Sequence, residues 1–315
     1  MAFAADSVTP DVWRFQAHPE VWLLIVFLVG AYLYTARVIG PRVVPVGRRA
    51  VSNRQKVWFA LGIGMLWLAS DWPLHDIGEK YLYSAHMLQH MVLSYFMPPL
   101  LLLATPEWMA RLLVGEGRTY RAVRFLTRPV VAGVIFNCTV MITHIPGVVN
   151  NSVQSGPLHY SLHAGLVLTS LLMWMPVCGP LPEVRLKPGA TMIYLFVQSV
   201  IPTVPAGWLT FADGAVYKVY DKPFRLWGLS VTYDQQLAGV IMKIGGSVFI
   251  WTITTIIFFK RFMANWEEEN KMRPPRYVPA KLPVPAAADD ETLTYEQVTQ
   301  AFDKVPAAPD PSGGD

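Results

Sequence analysis

The chain has 315 residues, of which 53 % are hydrophobic and 15 % are charged, and its formal net charge is +4. A composition this apolar and this poor in charge excludes an ordinary soluble protein and indicates one that lies in a membrane. The basic residues are concentrated in short loops between apolar stretches, a bias that membrane proteins show on their cytoplasmic side. The positive charge therefore gives no reason to expect a nucleic-acid partner.

Seven stretches are apolar enough to cross a bilayer, which takes roughly 20 residues each. In chain order they are 21–39, 57–72, 84–104, 129–145, 158–178, 190–208 and 237–259. The second is short and the sixth contains two prolines, Pro202 and Pro205, so these two are the least regular. The sequence predicts an all-α integral membrane protein, a bundle of about seven transmembrane helices.

Arginine in the short loops predicts how the bundle is oriented. The loops that follow the first, third and fifth stretches are basic, and they contain Arg48, Arg121 and Arg185. The alternating loops are poorer in basic residues for their length, including the long one after the sixth stretch, which contains Lys218, Lys222 and Arg225. The positive-inside rule places these loops in the cytosol, with the N-terminus outside and the C-terminus in the cytosol. We thus expect an outer N-terminal segment (1–20), a seven-helix membrane domain (21–263) and a disordered, acidic, Pro/Ala-rich cytosolic tail (264–315).

Six of the seven histidines lie in two similar hairpins at the predicted outer face. They are His75, His86 and His90 in the first hairpin and His144, His159 and His163 in the second. In each hairpin a lone histidine ends one span and a His-x-x-x-His pair begins the next. Positions i and i+4 share one helix face, so each pair presents two imidazoles to a common point. Because an unpartnered polar group is costly inside a membrane, this gathering predicts a functional site.

The six histidines are candidate metal ligands. Imidazole suits copper, zinc and iron, and thioether sulfur from Met87 or Met91 would add a preference for Cu(I). Asp71 and Asp76 flank His75 and are candidates to orient a metal-bound imidazole. Purely structural roles stay open beside these, since the methionines could only fill the core and the imidazoles could only bond neighbouring helices.

Other polar residues belong to the same half of the predicted bundle. Asp234 and Gln235 begin the last span, and Lys243 lies two turns further in, where a long side chain that snorkels to the surface is an equally good interpretation. The aromatic loop 210–234 either folds over the outer face or forms an interfacial belt. Two cysteines at different depths, Cys138 and Cys178, predict neither a disulfide nor a thiolate metal site.

Two motifs in the chain resemble a known family. His86-Met87-Leu88-Gln89-His90-Met91 followed by Pro98-Pro99-Leu100, and later Asp234-Gln235-Gln236-Leu237-Ala238-Gly239, are similar to the signature segments of the CtaG family of cytochrome c oxidase assembly proteins. This is the polytopic family linked to caa-type oxidases. The second histidine hairpin fits the family's second histidine region, and the resemblance covers residues 20–262. Lys243 departs from the family pattern, which has an apolar or aromatic residue there.

The resemblance implies a multi-pass protein of the bacterial inner (plasma) membrane that matures a haem–copper oxidase, by delivering copper and without catalytic turnover. Its partners would be oxidase subunits, membrane lipids and another copper chaperone. Two alternatives remain from the residues alone. One is a membrane haem protein with two axial histidines, and the other is a membrane enzyme that uses zinc or a histidine pair, although no nucleophile accompanies the histidines.

Overall fold

The structure is a computed structural model and describes residues 11–272 and 293–305. The described residues form helices and no strand. The chain divides into two units, Met1–Ala264 and Asn265–Asp315. The all-α prediction is thus confirmed for the part of the chain that the structure describes.

The first unit is a series of helices joined by short loops. In chain order they are α1 Pro19–Val43, α2 Asn53–Ser70, α3 Leu74–Lys80, α4 Tyr83–Ala104, α5 Glu107–Val114, α6 Arg118–Leu126, α7 Pro129–Thr143, α8 Pro146–Gln154, α9 Gly156–Cys178, α10 Pro188–Val200, α11 Thr203–Thr210 and α12 Val231–Lys271, which continues into the second unit.

Six of the described segments are long and apolar enough to cross a membrane, or seven when the bent pair of α6 and α7 counts as one span. The bend between α6 and α7 is 70°. The sixth span is interrupted at Pro202, between α10 and α11, as the sequence suggested. The second span is not short, since α2 has 18 residues, whereas α7 has only 15. Pro129 begins α7 and has no backbone N–H to continue the preceding helix, so the fourth span starts late. The prediction of about seven transmembrane helices is confirmed at this level.

Helix α4, which carries the first His-x-x-x-His pair, is the most buried of the candidate spans. It packs against α2, α9 and the first turns of α12. Large side chains such as Trp174 and Phe136 are fully buried in the surrounding core, and the Trp174 indole donates a hydrogen bond to the carbonyl of Ser94 on α4 (3.0 Å). His86 and His90 therefore lie on the most buried candidate span.

A glycine sets the distance between α3 and α4. A Cβ atom added to Gly78 would lie 2.9 Å from the backbone nitrogen of His86 and 3.0 Å from its Cα. Real side chains do not approach a backbone so closely, so only glycine allows the two helices to meet here. This close approach brings the short helix α3 directly against the first histidine of α4.

The second unit is described only in part. Thr294 and Gln297 form a reciprocal capping box at the start of the helix Tyr295–Asp303, which we call α13. The predicted disordered tail covers 264–315, of which the described parts are the last turns of α12 and residues 293–305 around α13. The rest of that prediction lies outside the described residues.

Candidate metal centre

The first hairpin brings three imidazoles together at one end of the bundle. His86 and His90 lie one turn apart on α4, with ring centroids 4.4 Å apart, as the i,i+4 spacing predicts. His75 lies on α3, which a break after α2 turns back toward α4. All three side chains are buried, with 3–8 % of each residue exposed.

The second hairpin faces the first. His159 and His163 lie on the first turns of α9, with ring centroids 4.4 Å apart, and His144 follows directly after α7. The rings of the two hairpins lie close to one another. The distances between ring centroids are 5.6 Å for His86 and His159, 5.3 Å for His86 and His163, 4.9 Å for His90 and His163, 5.6 Å for His75 and His159 and 6.3 Å for His90 and His144. The structure thus brings together all six histidines that the sequence singled out, and we call them the histidine cluster.

Two groups of three side chains (triads), one of which adds Glu79 to histidines of the cluster, have the geometry of a metal site. One donor atom each from His86, His159 and His163 lie within 4.8 Å of one another, and so do one each from His75, Glu79 and His159. His159 belongs to both triads. Glu79 was not predicted from the sequence, although it follows His75 by one helical turn.

Four imidazole nitrogens of the cluster are buried and have no hydrogen-bond partner among the described residues. They are Nδ1 of His86 and Nε2 of His90, His159 and His163. Buried polar atoms in folded proteins are nearly always paired, and each exception calls for a physical reason such as a bound ion. Each of these nitrogens presents a lone pair in one tautomer of its imidazole, and four of them on two facing helices fit a cation better than an ordinary packed core.

The edge of the cluster at His144 carries sulfur. Nδ1 of His144 lies 2.7 Å from the carbonyl of Val140, which can only accept, so Nδ1 carries the proton and donates. Nε2 of His144 then carries the lone pair, and it lies 3.4 Å from Sδ of Met87. A histidine held by a backbone carbonyl in this way presents its other nitrogen as a metal donor. Met91 lines a small cavity of about 10 Å³ beside His90 and His144.

The comparisons with known proteins decide the family. A family model described as cytochrome c oxidase caa3 assembly factor matches residues 30–264. The chain belongs to the CtaG family of cytochrome c oxidase assembly factors. The matched region contains both hairpins and the Asp234-Gln235-Gln236 motif. Comparison with curated proteins and with solved structures gave no match.

In this CtaG-family protein the two predicted orienting carboxylates do not reach the His75 ring. Asp71 accepts hydrogen bonds from the indole nitrogens of Trp22 (2.8 Å) and Trp67 (2.7 Å). Because it closes α2, one turn after Trp67, its carboxylate points along that helix and toward α1. The His75 ring instead contacts Gln89 (Nε2 to Nδ1, 3.1 Å) and Glu79 (Oε2 to Nε2, 3.5 Å).

Asp76 holds the seventh histidine rather than His75. Its carboxylate contacts Nε2 of His18 (2.9 Å) and Nζ of Lys80 (2.6 Å). Burial lowers the pKa of His18, but hydrogen bonds to Asp76 and Glu20 outweigh it and raise that pKa above the usual value. The ring of His18 lies 5.0 Å from that of His75, so His18 covers this side of the cluster.

Asp234 fixes the start of α4. Its carboxylate accepts hydrogen bonds from the backbone N–H groups of Tyr83 (2.7 Å) and Ser84 (3.1 Å) and from the Ser84 hydroxyl. These are among the first N–H groups of α4, which have no partner inside the helix, so Asp234 caps α4 from another part of the chain. It positions His86, one turn further on, and does not contact the imidazoles.

Gln235 holds the aromatic loop in place. Its side-chain oxygen accepts from the backbone of Val216 (2.8 Å) and Tyr217 (3.2 Å), and its amide donates to the Tyr217 carbonyl (3.2 Å). The hydroxyl of Tyr217 donates to the carbonyl of His144 (3.0 Å), and that of Tyr220 to the carbonyl of Gly78 (2.9 Å). Of the two arrangements expected for loop 210–234, folding over the histidine end is the one observed.

Lys243 lies apart from the cluster. It is exposed on the surface of the protein, and its Nζ donates to the hydroxyl of Thr203 (2.6 Å) on the neighbouring α11. Asp234 and Gln235 of the preceding motif thus position the elements around the histidines, whereas Lys243 links α12 to α11 by a hydrogen bond.

Proposed function

We propose that the protein binds copper in the histidine cluster and delivers it to a haem–copper cytochrome c oxidase, without catalytic turnover of its own. The observation that carries this proposal is the group of four buried imidazole nitrogens without hydrogen-bond partners on α4 and α9. Family membership supplies the destination, because the matching family is one of oxidase assembly factors. Oxidase subunits and another copper chaperone are the partners that this role requires.

The donor set supports copper over other transition metals. Imidazole alone would also suit zinc or iron, but the approach of the Met87 sulfur to His144 adds a thioether, which favours Cu(I). Both cysteines are free, and neither belongs to the histidine cluster. A surplus of imidazoles lets an ion change ligands one at a time, which suits a protein that must release its metal as well as bind it.

The packing of the cluster argues against the haem alternative. Ring centroids of facing histidines are 4.9–5.6 Å apart, and the cavity beside His90 and His144 measures about 10 Å³. A porphyrin needs a flat space far wider than this between its two axial ligands. A bare ion fits among these rings with small side-chain rotations.

We further propose that the histidine cluster faces the outside of the bacterial plasma membrane. Arg128 precedes α7 and His144 follows it, so the basic loop and the cluster lie at opposite ends of that helix. Basic loops favour the cytosol. With Cys138 and Cys178 replaced, a single cysteine at Asn151 should react with a membrane-impermeant reagent in intact cells, and one at Arg48 should not. The reverse pattern would contradict the orientation.

The experiment that tests copper binding compares metal content in variants. Protein purified from its native membrane should contain copper, and the His86→Ala/His163→Ala double variant should lose it, together with the yield of active oxidase, while still accumulating in the membrane. Asn137→Ala is the control, because Asn137 is also buried and bonded, to Gln198 (2.7 Å), but lies outside the cluster. Wild-type copper content and oxidase maturation in the double variant would refute the proposal.

A further inference from the structure

We propose that the histidine cluster has a separate loading position for the ion, formed by His75, Glu79 and His159, at its solvent side. From there the ion moves to the all-histidine triad of His86, His159 and His163 by ligand exchange at the shared His159. This inference rests on the proposed function, since it takes copper as the cargo.

The geometry supplies the two positions and their common ligand. The donor atoms of each triad lie within 4.8 Å of one another, and His159 is in both. Nε2 of His75 lies 3.5 Å from Oε2 of Glu79, and the Glu79 side chain is 24 % exposed, whereas His75 and His159 are buried. Glu79 is thus the one charged ligand of the two triads, and its carboxylate reaches water and can meet a hydrated ion first. His163 is also partly exposed, but its Nε2 is buried.

The two triads differ in charge. A carboxylate adds a negative charge and a hard oxygen donor, while the all-histidine triad offers only imidazole nitrogens. A carboxylate at the mouth attracts a cation from water and stabilises it while the ion is still partly hydrated. Imidazoles of the second triad then replace oxygen with nitrogen, and the Met87 sulfur lies nearby, beside His144.

Gln89 can hydrogen-bond the His75 ring when His75 acts as a metal ligand. Its Nε2 lies 3.1 Å from Nδ1 of His75, while its Oε1 is buried without a partner among the described residues. A half-turn of this amide lets Nδ1–H of His75 donate to Oε1 and leaves the Nε2 lone pair free for a metal. Gln89 therefore accommodates both tautomers of His75, with Nε2–H toward Glu79 or with Nε2 bound to an ion.

The transfer itself requires no change in oxidation state. The ion is first held by Nε2 of His75, a carboxylate oxygen of Glu79 and a nitrogen of His159. The bonds to His75 and Glu79 break as bonds to His86 and His163 form, while the bond to His159 remains. The Glu79 carboxylate keeps its negative charge and is rehydrated, and His75 regains its contact with Glu79.

The kinetic test uses Glu79→Gln, which keeps the size of the side chain and removes the charge. When apoprotein is mixed with Cu²⁺ and tryptophan quenching is followed by stopped flow, this variant should load on the order of tenfold more slowly. The amount of copper bound at the end should equal that of wild type. Glu20→Gln is the matched control, a half-exposed glutamate that contacts His18 and Tyr160 and is in neither triad. It should load at the wild-type rate.

The equilibrium test isolates the loading position. In the His86→Ala/His163→Ala background, Cu²⁺ titration followed by electron paramagnetic resonance should show weaker residual binding. Adding Glu79→Gln should abolish it, and adding Glu20→Gln should not. Loading of Glu79→Gln at the wild-type rate would overturn the proposal, as would a loss of copper at saturation equal to that of the double variant. If wild type binds no copper, the proposed function itself fails, a result that the Glu79 variants alone cannot produce.

Discussion

The two histidine hairpins have the same sequence plan but are held in different ways. The first hairpin is fixed by contacts from elsewhere in the chain: Asp234 caps α4, Gly78 lets α3 approach it closely and Gln89 contacts the His75 ring. In the second hairpin, α9 begins without a side-chain cap. Each hairpin has two imidazole nitrogens without a partner among the described residues, so the difference lies in how the helices are held.

This difference assigns unequal roles to ligands that look equivalent in the sequence. The capped hairpin fixes where the ion can sit, while the uncapped start of α9 leaves His159 and His163 freer to shift as ligands are exchanged. Binding and release by one protein require both properties. If the hairpins are unequal in this way, substitutions in them should differ in their effects on copper affinity and loading.

The largest effect is expected for His159, the ligand common to both triads. His159→Ala should lower copper affinity by more than either His75→Ala or His86→Ala, each of which leaves one triad complete. We expect copper affinity to fall by at least on the order of 100-fold. Losing only a residue that hydrogen-bonds a ligand typically lowers metal affinity by roughly 10–100-fold. Competition with a copper chelator measures it. Equal losses in the three variants would show that the hairpins are equivalent.

Asp234→Ala should come next, because it removes the cap of the first hairpin. The N–H groups of Tyr83 and Ser84 would lose their acceptor, at a cost of about 2 kcal/mol in the free energy of unfolding. Thermal unfolding of the detergent-solubilised protein measures this, and copper affinity should fall with it. Asp221→Ala is the control, since Asp221 pairs with Arg225 at the exposed surface. A stable Asp234→Ala variant with normal copper affinity would contradict the capping role.

Gly78→Ala tests whether the first hairpin depends on close packing of α3. The added methyl group has to displace the backbone at His86, at a cost of about 1 kcal/mol or more. Loading of Cu²⁺ should slow, because His75 and Glu79 move away from His159. Gly64→Ala on α2 is the matched control, since its Cβ would meet nothing within 4 Å. Identical loading in the two variants would mean that the α3–α4 distance does not matter.

The smallest effect is expected for Lys243→Met, which alters neither hairpin. Copper content should stay at the wild-type level, because the Lys243 ammonium bonds Thr203 on α11 and lies outside both triads. Metal analysis of the purified variant checks this. A clear loss of copper would show that the ion's route extends between α11 and α12, and the comparison of hairpins would then be incomplete.

Local rules predicted much of this site from the sequence. Hydropathy placed the spans, and the i,i+4 spacing placed His86 beside His90 and His159 beside His163. The pattern did not single out Glu79, because the segment after His75 resembles a loop in sequence, whereas it forms the separate helix α3. Proximity in sequence suggested Asp71 as a partner of His75, but the rotation of α2 directs it to Trp22 and Trp67. Such rotations depend on packing between distant segments.

The cap on α4 also has an electrostatic consequence for the ion. The N-terminus of a helix carries a partial positive charge of about half an elementary unit, which opposes a cation bound within the first turns. His86 lies in that region, so an uncapped α4 would repel the copper that its own histidines attract. The Asp234 carboxylate, bonded to the backbone of Tyr83 and Ser84, offsets this field at its source. The signature aspartate thereby makes the start of a helix, ordinarily a site for anions, suitable for a metal cation.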